Sequence, residues 1–194
     1  MLELKDLKII LIFIFFTYSC KSKELLLEKK TEKCIKKEFK KSIYNIEHIS
    51  DKKFKVLEYF KMTKNINKTL IRGGYILKND KKSYQNLLLN LTRDGTNEFA
   101  KSSIYLEFEK NGYNFISVYS NLFGNCSYLY LETKDKSILK RLRRIISLFE
   151  EKSFLDKELI KAFIEVIPSK KLNDELYIGY IYFLADIIII NKLS

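Results

Sequence analysis

The 194-residue chain contains one histidine, one proline, six glycines, three cysteines and no tryptophan. A lone histidine, His48, removes the usual base beside a serine or cysteine nucleophile. With no Cys-x-x-Cys spacing beside it, the chain also offers no soft ligand set for a metal, and no cofactor motif is present. The glycines form no phosphate cradle, because Gly73-Gly74 lacks the lysine and the helix start that such a loop requires. No apolar run free of charge reaches the roughly 20 residues of a membrane span. Arginine is scarce, five residues among 36 basic ones, and alanine occurs three times. With Ile, Asn, Tyr and Phe abundant, this is the usage of an AT-rich genome, which accounts for much of the lysine without a function.

The charge itself is large, +12 at pH 7 with an isoelectric point near 9.4, and favours acidic partners. Three of the five arginines fall together, in the stretch Lys134, Lys136, Lys140, Arg141, Arg143 and Arg144. Codon bias does not explain arginine, and its planar fork suits carboxylate or phosphate. Lys136, Lys140, Arg141, Arg143 and Arg144 are therefore the candidate binding residues, an ordinary solvated helix face being the plainer account of the same charges. Glu107 and Glu109, about 7 Å apart if they share a strand face, are the carboxylate pair that an envelope enzyme acting on polysaccharide would use. Lys and Glu alternate along the whole chain, so solvent exposure explains them more simply.

The amino terminus carries the most specific pattern. Lys5 and Lys8 precede the apolar run Ile9 to Phe16, and Thr17-Tyr18-Ser19 leads into Cys20. This arrangement resembles a bacterial lipoprotein signal peptide, which implies cleavage after residue 19, acylation of Cys20 (palmitate among the chains) and a membrane-anchored body outside the cytoplasm. An unmodified export signal, an uncleaved anchor and a buried helix are the other readings of the stretch. Lys21, rather than Asp, follows the cysteine, which implies outer-membrane delivery if the cell has two membranes. Cys34 and Cys126 then remain as an even pair in a compartment where disulfides persist, and either pair up or stay as separate buried thiols.

Three segments are expected: a signal at 1–19, a lysine-rich tether at 20–42 and a single domain at 43–194. The tether holds nine lysines and four glutamates, with apolar positions too sparse to hold a helix on a core. Its charge suits either solvent or anionic headgroups. The domain reads as α+β, an antiparallel meander of four to five strands covered by two to three C-terminal helices. Its strands are Leu70–Leu77, Tyr84–Leu91, a hairpin over 104–119 turning at Asn111-Gly112, and Cys126–Glu132. Helices follow over Lys134–Glu150, from a capping box at Ser153 to Ile167, and from Leu176 to Ile190. The expected function is that of a noncatalytic envelope lipoprotein, anchored to membrane and recognising an acidic protein or anionic glycan rather than nucleic acid. An immunity-like role against a secreted toxin, a carboxylate enzyme and a structural envelope component are the rival readings.

Overall fold

The computed structural model describes residues 23–41, 44, 59–93, 125–131 and 137–193. Helix α1 covers 23–41. It is followed by α2 (Tyr59–Arg72), α3 (Lys81–Leu91), the single turn α4 (Tyr128–Leu131), α5 (Ile138–Glu151), α6 (Lys157–Val166) and α7 (Glu175–Leu193), with a 3-10 turn at Ser169–Lys171 between the last two. Among the described residues there is no strand. The expected α+β sheet is thereby corrected to packed helices.

Local chemistry explains each correction. The supposed strand Leu70–Leu77 is the end of α2 and the turn that stops it. Gly74 adopts φ +74°, the left-handed backbone that glycine enters without steric cost. The Tyr75 amide then donates back to the Leu70 carbonyl (3.0 Å) and the Gly74 amide to that of Ile71 (3.1 Å), the paired bonds of a Schellman C-cap. The eight-residue run Tyr84–Leu91 is helical because Asp80 caps it, its carboxylate accepting from the Ser83 amide at 2.8 Å. Three more residues thus enter at its front, and Ser83, Tyr84, Leu87, Leu88 and Leu91 form one buried stripe. In the third supposed strand, Cys126 is buried and Leu129 packs against the core, whereas Leu131 is exposed. Spacing of three, not two, thus decides its inward face. The 104–119 hairpin lies outside the described residues.

The C-terminal helices are placed close to expectation but cover helices instead of a sheet. Helix α7 packs against α2 and α3, α6 against α3 and α5, and α4 against α5. Every residue from Leu176 to Ala185 is buried, so α7 is apolar all round because it is surrounded. Helix α5 turns Leu139, Leu142, Ile146 and Phe149 inward, and the Phe149 ring stacks on Phe154 at 5.7 Å and meets Phe163 at 6.4 Å. The cap of α6 is Asp156, which accepts from the amides of Glu158 and Leu159; Ser153 instead accepts from Leu155. Ile167 ends α6 in extended backbone, as the residue before a proline must.

Helix α1 departs most from expectation. Over 23–41 the chain is no tether: Leu27, Ile35 and Phe39 are buried in the same core as α7. The apolar stripe is as thin as the sequence suggests, but it does not act alone. Cys34 and Cys126 are joined in a disulfide with a Cα separation of 5.9 Å. Buried Glu28 and Thr31 complete the inward face, Thr31 donating to the Leu27 carbonyl at 2.9 Å and Glu28 finding partners across the fold. Among the described residues no helix is long and apolar enough to cross a membrane.

Candidate functional site

Two polar clusters lie inside the bundle and one cationic surface lies outside. Helical periodicity puts Glu24, Glu28 and Glu32 in one row on the inward side of α1. Glu28, 3% exposed, accepts from Lys171 Nζ at 2.6 Å and from the Tyr177 hydroxyl. Lys171 also stands 3.4 Å from Asp174. Glu24 accepts from the Ile138 amide at 3.0 Å, at the α5 N-terminus, where orphan amides and the helix dipole favour a carboxylate. Burial raises the Glu24 carboxyl above its ordinary range, and burial with the nearby Asp174 charge does the same to Glu32. Burial alone would lower Lys171, but the hydrogen bond and charge of Glu28, with Asp174, outweigh it and hold the ammonium above its usual value. Tyr177 is pushed well up by burial and by Glu28, so its hydroxyl remains a donor.

The second cluster joins α2, α3 and α7. Asn67 Oδ1 accepts from the hydroxyls of Tyr84 (2.8 Å) and Tyr182, Asn67 Nδ2 donates to Asn79 (2.8 Å), and Asn79 donates to Asn173 (2.9 Å). Burial raises Tyr84 as well. The fully buried side-chain polar atoms of both clusters find partners within the fold, as buried groups must. Among the described residues no group of His, Cys, Asp and Glu could hold a metal ion.

The cations face outward. On α5, Arg141 and Arg144 are exposed while Lys140 and Arg143 are half-buried. Arg143 Nη1 lies 3.3 Å from Glu150 on the same helix. Four of the five candidate binding residues, Lys140, Arg141, Arg143 and Arg144, thus share α5, with Arg141 and Arg144 the most exposed; Lys136 lies outside the described residues. So do Cys20, His48, Glu107 and Glu109. The inward acidic row was missed by sequence reasoning, although Glu24, Glu28 and Glu32 recur every four residues, the spacing of a single helix face.

No protein-family model matches the chain. Comparison with curated proteins and with solved structures likewise finds no match.

Proposed function

We propose that this protein is a lipid-anchored bacterial envelope lipoprotein whose helical body is a noncatalytic binding module for an acidic macromolecule. The observation that carries the reading is the separation of charge by depth. Glu24, Glu28 and Glu32 of α1 turn inward, where Lys171, Tyr177 and the Ile138 amide satisfy two of them, while the lysines of α1 and Arg141 and Arg144 of α5 stand outside. A catalytic carboxylate needs access to substrate and freedom to exchange its proton; Glu24 and Glu28 are instead committed to holding helices together. The Cys34–Cys126 bridge supports an oxidising compartment, and the signal-like stretch ending at Cys20 supports the anchor.

The exposed pair Arg141 and Arg144 is the recognition element, since guanidinium forks read carboxylates and phosphates with direction. Capture from the native envelope with the wild-type chain and with R141S/R144S tests it. The wild type should retain an acidic macromolecule that the double variant loses, at an unchanged melting temperature. Equal capture by both would retire the arginine face. Mass spectrometry of the mature chain tests the anchor, which predicts a diacyl or triacyl cysteine as first residue.

A further inference from the structure

The outward half of α1 is a surface of one sign. Ten of its residues are exposed, of which eight are lysines and the other two are Leu25 and Leu26. At about 100° per residue these ten fill a continuous arc of about 160°, and the helix runs for about 27 Å. All four glutamates of the helix fall on the other half, buried or half-buried. A helix face that merely keeps a protein soluble mixes the two charges; this one has no exposed carboxylate, and a glutamate reaches it only at the last turn, where Glu38 pairs with Lys41 at 2.8 Å. Mutational bias sets how many lysines a chain has, but it does not sort them from the glutamates around a helix axis.

The arc differs from the α5 face in chemistry. It is built of lysines, mobile point charges that need no fixed partner geometry, and suits a fluid surface of phosphates more than a shaped protein. Leu25 and Leu26 are 50% and 55% exposed and lie at the end nearest Cys20. Three residues of chain reach about 10 Å at most, so an acylated Cys20 brings the first turn of α1 to the bilayer, within about one Debye length of its charge.

We propose that the outward arc of α1 lies along an anionic phospholipid surface, with Leu25 and Leu26 at the boundary of headgroups and acyl chains and the lysines on the phosphates. Its placement rests on the Cys20 anchor; its attraction does not. The docked helix would set how the body sits on the membrane and which surface remains open to a partner.

The test uses the full chain on vesicles of phosphatidylcholine, alone or mixed with phosphatidylglycerol, with lysine reactivity toward an amine reagent read by mass spectrometry. Lys29, Lys33 and Lys37 should lose reactivity on the mixed vesicles by about fivefold, the equivalent of the electrostatic attraction of one lysine, and regain it in molar salt. Exposed Lys82 on α3 and Lys157 on α6 serve as internal references. In a Cys20→Ser background, K29Q/K33Q/K37Q should weaken partition to mixed vesicles by on the order of a hundredfold at an unchanged melting temperature. Equal reactivity on neutral and anionic vesicles would overturn the docking while leaving the anchor intact. Release from neutral vesicles with protection on anionic ones would overturn the anchor and support the docking. Protection by soluble polyglutamate matching that by vesicles would reassign the arc to an acidic protein and end the bilayer proposal.

Discussion

Glu24 and Glu32 are carboxylates whose surroundings oppose their charge. Burial raises both, so the folded chain binds protons at a higher pH than the unfolded chain does. Stability then increases as pH falls through the folded values toward the ordinary 4.5, because the native state takes up protons first. Asp80 and Glu38 work the other way: backbone and side-chain hydrogen bonds from Ser83 lower the first and the Lys41 ammonium lowers the second. Their contribution is lost only at pH below the ordinary carboxylate range. The melting temperature should therefore rise as the pH falls from neutrality toward 4.5 and fall in stronger acid. Glu24→Gln with Glu32→Gln should remove the rise and leave the variant at least as stable at neutral pH, by less than about 1 kcal/mol given partial exposure. Thermal scans of both proteins across that range check it, and an unaltered rise in the variant would acquit these two groups.

At the scale of the element, the end of α2 offers a clean test. A methyl group on Gly74 would meet no atom within 4 Å, so the φ of +74° is the whole obstacle to a side chain there. Gly74→Ala should cost about 1 kcal/mol through backbone strain alone, measured by urea denaturation, and Gly74→Asn less. A loss of several kcal/mol would mean that packing matters there. This turn also shows what the sequence conceals. Gly73-Gly74 reads equally well as a strand bulge or a helix stop, and only the identity of its neighbours decides. Helices α5, α6 and α7 were legible because fourteen, ten and nineteen residues carry enough apolar positions to declare their period or their complete burial. Helix α3 was not: Tyr84, Leu87, Leu88 and Leu91 already stand at helical spacing, but an apolar run of only eight residues suits a strand by length, and the Asp80 cap that brings in Lys81, Lys82 and Ser83 was not recognised. The arginine cluster was visible in the chain, but the pairing of Arg143 with Glu150, seven residues on, depends on rotamers. In α1 the lysines were plain to see; their segregation emerged only once the inward face was known.

At the scale of the whole molecule, α1 is held by links between residues far apart in sequence: Cys34 to Cys126 over 92 residues, Glu24 to Ile138 over 114 and Glu28 to Tyr177 over 149. Closing a loop as long as that of the disulfide lowers the entropy of the unfolded chain, worth about 4 to 5 kcal/mol in the chain-entropy account. Cys34→Ser with Cys126→Ser should lose most of this in urea denaturation, and α1 should exchange its amide hydrogens before the rest of the bundle does. A loss under about 1 kcal/mol would show that the unfolded chain keeps the two segments together without the bond. The encasement of α7 bears on the order of events in the cell. Its side chains are the middle of the bundle, yet ribosomes deliver them after every helix that must close around them, so earlier helices emerge with their apolar faces uncovered. Until α7 follows, those faces have nothing to close on, and the bundle packs only when its last helix is made.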